Sequence, residues 1–127
     1  MPIVTITGLP AGERKLEKLA HDIQHAIAGI KPLGLTEKEI TVEFPADLLP
    51  RNGKTLIGRI FGLFAKPERT ERVRQDVLNA VILELQEFAD MYLPSWKVIE
   101  VFLDPPFDAS KADVFRRTAQ TGGRPAH

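Results

Sequence analysis

Residues Pro2 to Gly8, PIVTITG, alternate apolar and polar positions and are rich in β-branched side chains, the pattern of a half-buried strand. GLPAG follows as a turn. From Glu13 the period changes, and Leu16, Leu19, Ala20, Ile23, Ile27 and Ile30 recur at helical spacing until Lys31, Pro32 and Gly34 end the run. EITVEF (Glu39–Phe44) alternates again, with Ile40, Val42 and Phe44 on one face, and predicts a second strand. PADLLPRNGKT is punctuated as a loop by two prolines and an Asn-Gly pair. LIGRIFG predicts a third strand, Pro67 to Phe88 a second and longer helix, and KVIEVFLD a fourth strand. DPPF breaks that strand. In DASKADVFRRTAQ, Ser110 and Asp113 resemble a capping box and predict a short C-terminal helix, and TGGRPAH reads as a disordered tail.

The element order is β-α-β followed by β-α-β. Laying the chain over itself at an offset of 54 aligns GLPAGERKLEKLAHDIQHAI (from Gly8) with GLFAKPERTERVRQDVLNAV (from Gly62) without a gap. Gly8/Gly62, Leu9/Leu63, Ala11/Ala65, Glu17/Glu71, Asp22/Asp76 and Ala26/Ala80 are identical pairs. Shared helical periodicity accounts for the matched core positions, but not for a Gly-Leu before each helix. The expectation is an internal duplication in one α/β (α+β) domain. Units at 2–50 and 55–104 would form a four-stranded mixed sheet with two helices on one face, and 105–127 a C-terminal extension. VLNAVILEL in the second helix is apolar around most of its circumference, more than one sheet face hides, and points to a subunit interface.

Composition narrows the function classes. The 127 residues suit a single domain with a sizeable core. Lys plus Arg number 17, as do Asp plus Glu, so no global field favours nucleic acid or an anionic membrane. There is no cysteine, which removes disulfides, thiol catalysis and cysteine-ligated metals. No apolar run reaches membrane-spanning length and no signal-peptide pattern opens the chain, so a cytoplasmic protein is expected.

A strand beginning at Pro2, followed by a helix, a parallel strand and a repetition of that unit, resembles the tautomerase superfamily. PIVTITG, EKLAHDIQHAI (Glu17–Ile27) and Leu35–Thr36 carry the resemblance most closely, and it spans Pro2 to about Asp104. Small members, the 4-oxalocrotonate tautomerases, are one β-α-β unit. Long members, such as malonate semialdehyde decarboxylase and the cis-3-chloroacrylic acid dehalogenases, carry two. The resemblance implies removal of Met1, a catalytic amine on Pro2, no cofactor or metal, and a homotrimer acting on a small 2-oxo or enol carboxylic acid. An α-amino group titrates nearer neutrality than lysine, which suits proton transfer. Retained Met1 would turn that amine into a tertiary amide with no basicity. The bland reading of Pro2 is the tolerated first residue of a strand.

Family members hold carboxylates with arginines, and here the pattern departs. Ala11-Gly12 and Glu39 stand where small members have arginine. The expected substrate cations are Lys66 and Arg69 in the second-half turn, with Arg59 on the third strand behind them; their bland reading is surface charge. Losing both first-half arginines counts against the dicarboxylate dienol of the small members. Glu39 and Glu43, on the strand face opposite Ile40 and Val42, are accessory candidates for orienting water or substrate. Tyr92 and Trp96 are candidates to wall an apolar pocket, although such residues are more often core or interface.

HDIQH (His21–His25) imitates a zinc-protease motif but has Asp22 in place of the glutamate base, and NGKT precedes a strand rather than a helix, so neither predicts a site. The rival class is a non-catalytic binding or assembly module, either of the ferredoxin-like fold, which shares this element order, or an inactive tautomerase fold. No aromatic pattern on the strands supports RNA binding.

Overall fold

The computed structural model describes residues 2–10, 15–46 and 53–105. Its elements are β1 (Ile3–Thr7), α1 (Leu16–Ala28), β2 (Thr41–Glu43), β3 (Thr55–Phe61), α2 (Glu71–Tyr92) and β4 (Val98–Leu103). Two 3-10 turns, Lys31–Leu33 and Glu37–Glu39, lie between α1 and β2. The expected C-terminal helix and tail, the Ala11-Gly12 turn and Met1 lie outside the described residues.

The sheet is mixed, in the order β2-β1-β3-β4. β1 pairs parallel with β2, β3 pairs parallel with β4, and β1 meets β3 antiparallel at the centre. Each β-α-β unit therefore keeps its two strands side by side. The ferredoxin-like arrangement splits them with an intervening strand, so that alternative is corrected by the topology. Thr5 lies directly opposite Arg59 across the central pair. Those two residues are also 54 apart, so the repeat offset and the strand register define the same local two-fold.

Val4 and Ile6 of β1 and Leu56 and Ile60 of β3 point to one face, where Leu19, Ile23 and Ile27 of α1 and Val77, Val81 and Leu85 of α2 cover them. Each such aliphatic side chain contributes about 1.5–3 kcal/mol on burial. Among the described residues no helix lies across the other face, where Val98 and Phe102 remain 46% and 53% exposed. On α2, Leu83 is exposed, part of the surplus that VLNAVILEL predicts, and so is Met91 beyond that stretch.

The repeated glycine has a backbone cause. Gly8 and Gly62 end β1 and β3 with φ of 91° and 79°, a region where side chains are strained. At Gly8 an added Cβ would lie 1.8 Å from the Thr55 carbonyl oxygen.

Two boundaries move. The second strand spans only Thr41–Glu43. Glu39 is not on its face but ends a 3-10 turn, because its carboxylate accepts from the Thr36 N–H and hydroxyl, both at 3.1 Å. The second helix begins at Glu71 rather than Pro67. The Arg69 N–H closes a turn onto the Lys66 carbonyl, and Thr70 then caps the helix by accepting from the Val73 N–H at 3.3 Å. The helix continues to Tyr92 because Phe88 and Ala89 prolong its buried face.

Candidate active site at the head of the central strand

Pro2 is buried at the head of β1, an interior strand, and its carbonyl accepts from the Thr41 N–H at 3.1 Å. Ile3 is level with Thr41 on one side and Phe61 on the other. Continuing both registers back along β1 brings Pro2 level with Ile40 and Gly62, and Glu39, the last residue of the 3-10 turn just before Ile40, comes close enough to feel the positive chain terminus. Because β3 runs towards this end, the turn leading into α2 is also here, bringing Lys66 and Arg69 with it.

Glu39 is an ionised group held in place. The Thr36 N–H, then the Thr36 hydroxyl, hold its carboxyl below the usual range, and the positive chain terminus and Lys66 add to this against some desolvation. Lys66 is exposed, and its ammonium has no hydrogen-bond or ion-pair partner among the described residues.

Arg69 behaves differently. It is buried, 9% exposed, and its two terminal nitrogens donate to the Phe64 carbonyl at 2.7 Å and the Leu33 carbonyl at 3.0 Å. Its Nε is buried without a partner. Burial lowers the guanidinium pKa, opposed by Glu68 and Glu39. Arg69 thus ties the loop that precedes Glu39 to the turn that carries Lys66.

The other nominated residues are dispersed. Arg59 lies on the helix-free face and makes a forked ion pair with Asp104, both contacts at 3.2 Å. Glu43 shares that face, two strands away, level with Thr5. Tyr92 packs on Phe88 with ring centroids 5.0 Å apart. The Trp96 indole donates to the Gly8 carbonyl at 2.9 Å, with Lys54 over its ring at 5.7 Å. Gly8 and Pro2 are at opposite ends of β1, about 20 Å apart for six residues of strand, so neither aromatic meets Pro2 within one chain. Among the residues not nominated, Thr36 orients Glu39 and was visible as the Thr-x-x-Glu pattern of a capping box. Asp104, the partner of Arg59, had no such signal.

His21 and His25 are exposed, and His25 Nδ1 lies 2.7 Å from Glu37. Among the described residues no group of three or more His, Cys, Asp or Glu could hold a metal ion. No described helix is long and apolar enough to cross a membrane.

No family model matches the chain, and no curated protein does. Solved structures do. A fused 4-OT, solved as an asymmetric trimer, superimposes with a TM-score of 0.64 at 12% identity, covering 91% of this chain and 94% of that one. Both it and Pt0534, below, are of the tautomerase superfamily. The chain has a tautomerase-superfamily fold. Pt0534 inactivated by 2-oxo-3-pentynoate shares that fold with this chain at a TM-score of 0.60 and 17% identity, over 89% of each chain. The macrophage migration inhibitory factor of Toxoplasma gondii matches with a TM-score of 0.61 at 14% identity, over 92% of this chain and 99% of its own. In the tautomerase fold of this chain, the pseudo-two-fold at Thr5 and Arg59 relates one half that begins at Pro2 to another whose equivalent position is Leu56, inside the chain.

Proposed function

We propose that the protein is a cofactor-independent enzyme of the tautomerase or isomerase type. The Pro2 amine, freed by removal of Met1, is its acid and base, and its substrate is a small 2-oxo or enol carboxylic acid. The observation that carries this is the burial of Pro2 at the head of an interior strand, with support from Glu39, a carboxylate that feels both the positive chain terminus and Lys66. In the ketonising direction the amine takes the enol oxygen's proton while the double bond shifts, and the resulting ammonium delivers a proton to carbon. Lys66 holds the carboxylate so that both atoms come within reach of one nitrogen. The same groups suit hydration, with the protonated amine as acid and Glu39 orienting water, or decarboxylation.

The working form is proposed to be a homotrimer in the cytoplasm. Its support is the uncovered sheet face, with Val98 and Phe102 exposed, and the trimers of the fused 4-OT structures. A second reading, an inactive tautomerase fold used for binding, draws on the commitment of Arg59 and Arg69 to partners inside the chain.

The test is ketonisation of phenylenolpyruvate by wild type and Pro2→Ala, with intact masses checked for Met1. The expected outcome is turnover by wild type lost by at least about a hundredfold in the variant, the scale of a general acid–base group. 2-Oxo-3-pentynoate should add one equivalent of mass to wild type and none to Pro2→Ala. Equal turnover in the two proteins removes Pro2 from the mechanism.

A further inference from the structure

The charges around Pro2 also define what the site accepts. Three cations are candidates to hold an acid here, and two are committed. The terminal nitrogens of Arg69 are occupied by the Phe64 and Leu33 carbonyls, and its Nε is buried. Both carboxylate oxygens of Asp104 occupy Arg59, on the helix-free face. Lys66 keeps its charge free among the described residues. Glu39, one residue before Ile40 and within the field of both the chain terminus and Lys66, is held in place by the Thr36 N–H and hydroxyl that its carboxylate accepts from.

We infer that this site selects a small 2-oxo or enol acid with a single carboxylate, gripped by Lys66, and rejects a second carboxylate through Glu39. The inference rests on the reading of Pro2 as the reactive centre and adds the charge of its substrate. A monoanion finds one cation to meet it and presents its uncharged end to Glu39. A dianion brings a second negative charge into the field of the Glu39 carboxylate, and Lys66 cannot neutralise the two charges together. Arg69 acts here as a positioning residue: by bridging the Leu33 and Phe64 carbonyls it sets the spacing of the segments bearing Glu39 and Lys66.

The experiment compares two acids of equal carbon number, 2-oxopentanoate and 2-oxoglutarate, by amide chemical-shift titration of wild type, Lys66→Met and Glu39→Gln. The same spectra report whether each variant is folded. Wild type should bind 2-oxopentanoate about tenfold or more tighter than 2-oxoglutarate. Lys66→Met should weaken 2-oxopentanoate at least about fivefold, and Glu39→Gln should narrow the ratio between the acids by at least about fivefold. Equal or tighter binding of 2-oxoglutarate by wild type, no binding of either acid, or an unchanged ratio in Glu39→Gln overturns the inference. Turnover in the phenylenolpyruvate assay with a preference for the dianion overturns the charge rule and spares the enzyme. The expected binding ratio without turnover in processed protein does the reverse.

Discussion

Replacing Arg69 by Met separates a residue that builds the site from one that meets substrate. The side chain donates two hydrogen bonds, one part-buried at 2.7 Å and one buried at 3.0 Å, to carbonyls 5 and 36 residues away in sequence. Hydrogen bonds from a charged donor contribute about 1.5–3 kcal/mol each, and a carbonyl left buried without a partner costs about 1–3 kcal/mol. Against this, methionine avoids desolvating the guanidinium and its unpartnered Nε, which offsets part of the loss. The balance is a destabilisation of about 3 kcal/mol, or roughly 10 °C in Tm for a domain of this size. Arg69→Lys should fall about midway, since one ammonium reaches both carbonyls poorly. The assay is urea unfolding followed by circular dichroism at one fixed protomer concentration, because any oligomer adds its own stability. A shift in midpoint with an unchanged m-value is expected. Arg69→Met within about 0.5 kcal/mol of wild type refutes the reasoning. The two carbonyl bonds would then do no more than offset the cost of burying the guanidinium.

Three further perturbations follow from the geometry. Gly8→Ala puts a Cβ against the Thr55 carbonyl at φ of 91° and should cost about 3 kcal/mol or more in chemical denaturation; a loss under about 1 kcal/mol would mean that β1 and β3 part easily there. Burial first, then Glu87 and Asp22, raises the Glu84 carboxyl above its ordinary 4.5. Its charged form is therefore a liability in the folded chain, and the relative stability present below 4.5 is lost as pH rises through the raised value. Glu84→Gln should gain a few tenths of a kcal/mol at pH 7 and nothing below the unfolded value, and a gain independent of pH would assign the effect to something other than ionisation. Phe102→Asp, on the uncovered face, should reduce the sedimentation coefficient from that of a trimer to that of a monomer; an unchanged coefficient would place the interface elsewhere.

The strands and helices were legible where one face is buried and the other is not. Val4 and Ile6, or Leu19, Ile23 and Ile27, announce their faces because burial imposes the period. The repeated Gly-Leu was legible because a positive φ admits few residues other than glycine. Alternation runs smoothly back through EITVEF and so puts Glu39 on the strand, while the force that turns the chain there is its own carboxylate accepting from the Thr36 N–H and hydroxyl. The commitment of Arg69 was hidden for a different reason. Its partners are backbone carbonyls of Leu33 and Phe64, and a carbonyl carries no trace of residue type. Tyr92 and Trp96 read as candidate walls of an apolar pocket, and which end of the sheet they occupy depends on strand direction, which side-chain alternation does not carry.

The two-fold that pairs Thr5 with Arg59 also bears on how this chain can change over time. An assembly of identical single units repeats every mutation at every copy, so a charge introduced at one end of the sheet appears at the other. Joining two units in one chain breaks that rule. Leu56, where the second half has the counterpart of Pro2, is fully buried and linked on both sides by peptide bonds, so it offers no amine at any pH. Under the proposed role of Pro2, the end of the sheet near Lys54 and Trp96 takes no part in the chemistry and can be selected for contact or stability alone. A chain of two such units exchanges redundancy for freedom to specialise, and the two ends of this sheet differ in the side chains they carry.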